Sequence, residues 1–134
     1  MIGILIIAHE HLGDGFIHCA SHVMGEIPKR LLHLGVYIQD DTNVVVSKAR
    51  EMVRQLDDGD GVLILSDIYG ATPCNIASQL IISGKVECLS GINLPMLVRA
   101  LTYRDQPLAV VVEKALSGGK DGVIHIQLES GNAA

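Results

Sequence analysis

The sequence predicts an α/β fold, in which an open, mostly parallel sheet carries helices on both faces. Apolar residues make up 49% of the 134 residues, yet there is one Phe and no Trp. Such dense aliphatics are typical of buried parallel strands. Strand-like runs alternate with segments of helical periodicity, and the short connections between them favour parallel strands in one sheet. The length suits a single domain over residues 1–134.

Continuous aliphatic runs predict the strands. The run at the N-terminus is too short to cross a membrane, so we interpret it as a buried strand and expect no membrane insertion. The last strand lies close to the C-terminus, and residues 129–134 beyond it are expected to fray. The predicted strands are residues 2–8, 31–38, 62–65, 86–90 and 122–128.

Apolar residues spaced three and four positions apart predict the helices. Gly25 and Pro28 end the first helix. Thr42 is the expected N-cap of the second, and Thr72 and Pro73 suit the N-cap and first position of the third. The predicted helices are residues 12–23, 42–56, 72–83, 94–103 and 107–116.

The predicted strand order, 2-1-3-4 plus the C-terminal strand, locates a candidate site. Ligands of open α/β sheets bind beyond the carboxyl ends of the strands, where the strand order reverses. In this order the reversal lies between the first and third strands. His9 follows the first strand and Asp67 follows the third, so we expect their side chains to meet.

A histidine paired with a carboxylate indicates nucleophilic chemistry. A carboxylate that accepts a hydrogen bond from one ring N–H fixes the tautomer and leaves the other nitrogen as a nucleophile. Thr72 offers a hydroxyl beside a helix N-terminus that would favour a phosphate, and Gly70 and Ala71 keep the preceding turn small. Neither of the common glycine-rich nucleotide motifs is present, which disfavours a nucleotide as phosphoryl donor.

Charge and cysteine content exclude several classes of function. The net charge of −5 argues against binding nucleic acid or an anionic membrane. Three cysteines without a C-x-x-C spacing indicate a reducing compartment, which we take to be the cytoplasm.

No cofactor or metal is predicted, because the His9–His11 and His18–His22 spacings lack an obvious third ligand. Arg104 is expected to lie in solvent beyond a helix end.

Three stretches are familiar in combination: residues 4–9 (ILIIAH), residues 61–75 (which contain SDIYGATPCN) and residues 90–97 (SGINLPML). Through them the sequence resembles the mannose-family IIA component of the bacterial phosphoenolpyruvate-dependent sugar phosphotransferase system. The resemblance covers residues 1–128 and keeps the order of elements.

The resemblance implies specific roles. The phosphorylated histidine of the family falls on His9, its aspartate on Asp67 and its hydroxyl residue before proline on Thr72, while residues 91–96 would flank the same crevice. Family members accept a phosphoryl group from the histidine-containing phosphocarrier protein and pass it to a IIB component, expected here to be a separate protein. They form homodimers in which the C-terminal strand, residues 122–128 here, crosses to the partner subunit.

One residue departs from the family pattern, and other functions remain open. Glu10 stands where the family usually has glycine after the active histidine. A receiver-like signalling module would instead carry its phosphoryl group on Asp67, with Glu10 helping to bind Mg²⁺. A metal-dependent hydrolase would use His9, His11 and Asp67. The IIA-like subunit of a phosphotransferase-linked dihydroxyacetone kinase would share the fold and look much the same.

Overall fold

Strands and helices alternate along the computed structural model, which describes residues 1–128. The strands are β1 (Gly3–His9), β2 (Leu31–Val36), β3 (Val62–Ser66) and β4 (Val86–Ser90). The helices are α1 (Leu12–Met24), α2 (Thr42–Leu56), α3 (Thr72–Ser78), α4 (Leu94–Tyr103) and α5 (Leu108–Asp121). No helix within residues 1–128 combines the length and the apolar character that crossing a bilayer requires.

The four strands form one parallel sheet in the order β2-β1-β3-β4. In β1, Ile4 is in register with Leu31 of β2 on one side and with Leu63 of β3 on the other. The predicted open α/β sheet and its order 2-1-3-4 are therefore confirmed. The switch point lies between β1 and β3, as expected, because the chain continues from β1 to one side of the sheet and later returns to the other.

Side-chain alternation along the sheet separates two apolar cores. Ile4 and Ile6 of β1 pack with α1, α4 and α5 on one face. Leu5 and Ile7 pack with α2 and α3 on the other face. Successive side chains of a strand point to opposite faces, so the uninterrupted aliphatic run of β1 fills both cores. Helices therefore cover both faces of the sheet, as the sequence predicted.

The predicted strand at residues 122–128 is wrong for this structure. Helix α5 continues to Asp121, five residues beyond its predicted end, and residues 123–128 form no strand pairs within the described chain. Val123 and Leu128 are 78% and 99% exposed. An isolated extended segment leaves its backbone N–H and C=O groups without strand partners. Within the described residues, 123–128 do not pair with the β4 edge of the sheet. Residues 129–134, predicted to fray, lie outside the described residues.

Helix α3 ends at Ser78, although the sequence predicted a helix to residue 83. Backbone hydrogen bonds in both directions join Ile82 and Val86 in an isolated antiparallel bridge. Gly84 has a φ of 80° at the turn between them, a conformation that glycine adopts without a Cβ clash. This tight turn leads directly into β4 and begins with Ile82 and Ser83, the last two residues that the periodicity had assigned to the helix.

The predicted N-caps are each displaced by one residue. Asp41, not Thr42, caps α2, and its side chain accepts a hydrogen bond of 2.9 Å from the N–H of Asn43. Ala71, not Thr72, is the N-cap of α3, and Thr72 is its first residue. Asp ranks above Thr as an N-cap, which accounts for the choice at α2.

Arg104 is buried, contrary to the prediction that it lies in solvent. It is 6% exposed, and its guanidinium donates to the carbonyl oxygens of Ile2 (2.8 Å), Lys29 (2.6 Å) and Arg30 (2.8 Å). The planar fork of Arg presents several donors at once. It therefore ties the end of α4 to the start of β1 and to the turn before β2.

Candidate functional site

His9 and Asp67 meet at the carboxyl ends of two neighbouring strands. His9 is the last residue of β1, and Asp67 directly follows β3, its parallel neighbour. Nδ1 of His9 lies 2.7 Å from Oδ2 of Asp67. Leu5 and Ile7 face the core of α2 and α3, and His9 continues this alternation. The structure thus brings together the two residues that the sequence singled out, although they are 58 positions apart.

The carboxylate of Asp67 is held by three hydrogen bonds. Oδ2 also accepts from the backbone N–H of His9 at 3.0 Å, and Oδ1 accepts from the N–H of Ile68 at 3.1 Å. Burial raises the pKa of this carboxyl, but the hydrogen bonds from the backbone and ring of His9, a further backbone hydrogen bond and the charge of His9 together outweigh burial, so the pKa of Asp67 is lowered. The group is therefore a stable acceptor, and it selects the tautomer of His9 that carries the proton on Nδ1.

The His9 ring presents its other nitrogen outward. Its side chain is 47% exposed, whereas that of Asp67 is 6% exposed. With Nδ1 occupied by the carboxylate, Nε2 keeps its lone pair and has no hydrogen-bond partner within residues 1–128. An oriented imidazole with one free nitrogen is the arrangement that a nitrogen nucleophile requires.

A cleft of about 450 Å³ opens beside His9 on the α2/α3 face of the sheet. Thr72 at the start of α3 lines it, together with Tyr37 and Asp40 from the loop after β2. Gly70 has a φ of 85°, and the N–H of Ala71 donates to the carbonyl of Ile68 at 3.3 Å. Gly70 and Ala71 therefore shape the turn before Thr72 without lining the cleft.

The contribution of the β2–α2 loop was not foreseen from the sequence. The expected crevice lay between β1 and β3, whereas the cleft extends to the β2 side of β1 and includes Tyr37, Asp40 and Thr42. The order 2-1-3-4 places β2 beside β1, so the residues just past β2 could also have been selected. Residues 91–96 do not line this cleft. They contact the residue before Asp67, because the N–H groups of Gly91 and Ile92 donate to the Ser66 carbonyl at 2.9 and 3.0 Å.

Glu10 occupies a backbone conformation that favours glycine. Its φ is 47°, in the left-handed region that few side-chain-bearing residues adopt. The N–H of Glu10 donates to the Val36 carbonyl at 3.1 Å. A Cβ at Gly35 would lie 2.2 Å from the Glu10 carbonyl oxygen. The turn after β1 therefore depends on Gly35, which leaves room for the Glu10 carbonyl. The positive φ at position 10 explains why glycine would also suit that position.

The geometry is less compatible with the other chemistries. Within residues 1–128 no group of three or more His, Cys, Asp or Glu side chains could hold a metal ion. The ring of His11 packs edge-on against Tyr37, with centroids 5.8 Å apart. Asp67, the acceptor required by a receiver-like module, is largely covered and already accepts three hydrogen bonds.

Fold and site together define an open α/β protein that displays a carboxylate-oriented histidine at its topological switch point. Residues 3–116 match the family described as "PTS system fructose IIA component", where PTS stands for phosphotransferase system. The chain belongs to this family, and the resemblance to mannose-family IIA components is confirmed.

Curated relatives agree with this assignment. The chain is 28% identical over 125 residues to the PTS system mannose-specific EIIAB component of Escherichia coli strain K12. The matched region is 91% of this chain and 38% of that relative, so the chain spans less than two-fifths of its length. The PTS system fructose-specific EIIA component of Bacillus subtilis is 24% identical over 106 residues, which cover 78% of this chain and 72% of that protein.

Solved structures show the same architecture. A phosphotransferase system component EIIA from Streptococcus agalactiae superposes with a TM-score of 0.83 at 27% identity, covering 93% of this chain and 97% of that one. The mannose/sorbose specific IIA subunit from Enterococcus faecalis gives a TM-score of 0.84 at 18% identity, with 95% and 96% covered. At that identity the second likeness speaks for the fold alone.

Proposed function

We propose that this chain carries a phosphoryl group in a sugar phosphotransferase system and that Nε2 of His9 is the atom that carries it. One observation above all supports this function: the 2.7 Å contact between Nδ1 of His9 and the largely covered carboxylate of Asp67. It leaves the second ring nitrogen free in a half-exposed ring. Membership of the IIA family supports the same reaction class.

The proposed step moves one phosphoryl group between two proteins. The lone pair of Nε2 attacks phosphorus, a new P–N bond forms, and the bond from phosphorus to the donor nitrogen breaks with its electron pair returning to the donor. The ring of His9 gains positive charge as the bond forms. Asp67 stabilises that charge through Nδ1–H, as the acidic residue of a hydrolytic triad does for its histidine. A phosphohistidine intermediate results. In the onward step a nucleophile of the acceptor protein attacks phosphorus and the P–N bond to Nε2 breaks, with its electron pair returning to the ring of His9.

The equatorial phosphoryl oxygens need donors, because phosphoryl transfer depends mainly on positioning and charge stabilisation. We assign this role to the hydroxyl of Thr72, which lines the cleft with His9. The small turn at Gly70 and Ala71 lets the backbone approach the phosphate. The first turn of α1, which begins at Leu12, adds a positive helix end on the other side.

Protein partners fit the surface around His9. Exposed apolar side chains lie at the site. Ile38, which lines the cleft, is 102% exposed, and Ile68 and Tyr69, which follow Asp67, are 59% and 88% exposed. Such groups are typical of protein contacts. The histidine-containing phosphocarrier protein is the proposed donor, and we propose the cytoplasm as the location of the chain. A IIB component is the proposed acceptor, and the name EIIAB of the E. coli relative supports that pairing.

A homodimer is proposed from the C-terminal segment. Val123, Ile124, Ile126 and Leu128 are at least 71% exposed. β4 is an edge strand, and an unpaired edge is a template for another strand. Exchange of residues 122–128 between two copies would cover these side chains. We further treat residues 1–134 as one functional domain.

The test is a labelling reaction. With phosphoenolpyruvate, Enzyme I and the phosphocarrier protein, the chain should gain one phosphoryl group, stable in base and lost in acid. His9→Ala should abolish this gain, because within residues 1–128 no other side-chain nitrogen is hydrogen-bonded to Asp67. Asp67→Ala should slow transfer by about 100-fold or more, since the ring loses its orienting carboxylate. Mass spectrometry and quenched-flow labelling measure the two effects.

His18→Ala is the matched control, because His18 is an exposed histidine on α1 and does not line the cleft. It should be labelled as fast as the parent. Label retained in His9→Ala, or a base-labile label mapped to Asp67, would refute the assignment. The identity of the protein that next accepts the phosphoryl group distinguishes a role beside a IIB component from a role as the IIA-like subunit of a dihydroxyacetone kinase.

A further inference from the structure

The residue directly after the proposed acceptor carries a negative charge into the site. Glu10 lines the same cleft as His9 and is exposed. A phosphoryl group on His9 would carry close to two negative charges near neutral pH, as other protein phosphates do. The carboxylate of Glu10 would then be a like charge close to the group.

The backbone of Glu10 is held against β2 by a hydrogen bond and by close packing. Its N–H is hydrogen-bonded to Val36 at 3.1 Å. Its carbonyl oxygen occupies the space that a Cβ on Gly35 would need, 2.2 Å away. The contacts with β2 keep φ of Glu10 at 47° and so define the direction in which its Cβ leaves the backbone.

The charges that line the cleft do not compensate Glu10. Asp40 is the other carboxylate there, and neither lysine nor arginine is among the lining residues. Oδ2 of Asp40 accepts a hydrogen bond of 2.8 Å from the N–H of Tyr37, which offsets part of its charge. Glu10 has no hydrogen bond or ion pair within residues 1–128 through its carboxylate, so no protein group in this part of the chain neutralises its charge, and water and salt alone screen it.

We propose that Glu10 raises the phosphoryl-transfer potential of His9: by repulsion it destabilises the phosphorylated form relative to the free form and so favours onward transfer over retention. This inference rests on the proposed phosphoryl-carrier function. Glu10 acts on the energy of the phosphorylated state and is not itself a nucleophile or a ligand. The effect is electrostatic, so it weakens as salt screens the two charges.

The test is the equilibrium constant for transfer from the phosphorylated phosphocarrier protein to this chain, because an equilibrium between dissociated proteins does not depend on how they dock. Glu10→Gln should raise this constant about 3- to 10-fold at low ionic strength, as a Coulomb repulsion across several ångströms in a solvated site predicts. In about 1 M salt, where the screening length falls to roughly 3 Å, the ratio of variant to parent should approach one. Glu10→Asp keeps the charge and should retain the constant of the parent.

Glu26→Gln is the control for net charge. Glu26 lies with Met1 and Lys29 in a cleft at the opposite end of β1 from His9, and its replacement should leave the equilibrium constant unchanged. Equal constants for the parent and Glu10→Gln, with both labelled on His9, would overturn the inference alone. A lower constant in Glu10→Gln would also overturn it. Absence of label on His9 in the parent would overturn the proposed function as well.

Discussion

One carboxylate fixes both the main chain and the ring of His9. Oδ2 of Asp67 accepts from the backbone N–H at 3.0 Å and lies 2.7 Å from Nδ1. The position and the tautomer of the imidazole are thus set by the same atom, which is anchored on a different strand. At this scale the pairing was predictable, because topology brings the ends of adjacent parallel strands together. The backbone bond was not, since it depends on the rotamer of Asp67.

Acid should weaken the fold through Asp67. Its pKa is lowered in the folded chain, so between the folded and unfolded pKa values the unfolded state binds more protons and stability rises with pH. The contribution is complete above the ordinary carboxyl pKa near 4 and is lost as pH falls through the lowered value. Urea unfolding from pH 7 to pH 2 should show the stability difference between the parent and Asp67→Asn shrinking in acid. A difference that stays constant over this range would contradict the expectation.

At the scale of the elements, continuous aliphatic runs were the most predictive feature. The limits of β1 shift by one residue, those of β4 and α4 agree with the prediction, and α1 gains one residue. The ends of α3 and α5 were harder. Residues 82–86 form a tight turn, and Gly118 and Gly119 stay helical because they are buried against Arg99 and Met96 of α4. Packing of this kind overrides the local tendency of glycine to end a helix.

Two glycines should respond in opposite ways to the same substitution. A Cβ at Gly35 of β2 would meet the Glu10 carbonyl at 2.2 Å, whereas one at Gly15 of α1 meets nothing within 4 Å. Gly35→Ala should cost about 2 kcal/mol or more, because backbone must move. Gly15→Ala should add about 0.5–1 kcal/mol, because alanine is the better helix former. Chemical denaturation measures both, and equal effects at the two positions would contradict the described turn after β1.

Across the whole molecule, long-range contacts fix features that local sequence does not reveal. Arg104 binds carbonyl oxygens of Ile2, Lys29 and Arg30, up to 102 positions away, so its burial could not be read from its own neighbourhood. The C-terminal segment poses the reverse case. Its apolar pattern resembles a strand, but a strand forms only where a partner edge is available, and none within the described chain pairs with it.

Removal of residues 123–134 should separate assembly from folding. In the proposed homodimer residues 123–128 of this segment hold the two copies together, so the shortened chain should sediment as a monomer while the parent sediments as a dimer. The helical signal of the far-ultraviolet spectrum should be retained, because the described helices all end at or before Asp121. Ile126→Asp, a single charge placed on the exposed apolar segment, is expected to act in the same direction. A parent that is monomeric at micromolar concentration would contradict the dimer.

The solvent exposure of His9 has a consequence for the proposed phosphoryl relay between the donor protein, this chain and the acceptor protein. Its side chain is 47% exposed, and within residues 1–128 only Nε2 of its ring lacks a hydrogen-bond partner, so in the proposed relay the phosphoryl group arrives at and leaves from the same atom. The proposed donor and acceptor proteins would then compete for the same surface, and transfer would not pass through a complex of all three proteins. In each turnover of the proposed relay the donor must dissociate before the acceptor binds. An excess of either partner in its unphosphorylated form would therefore slow transfer that involves the other.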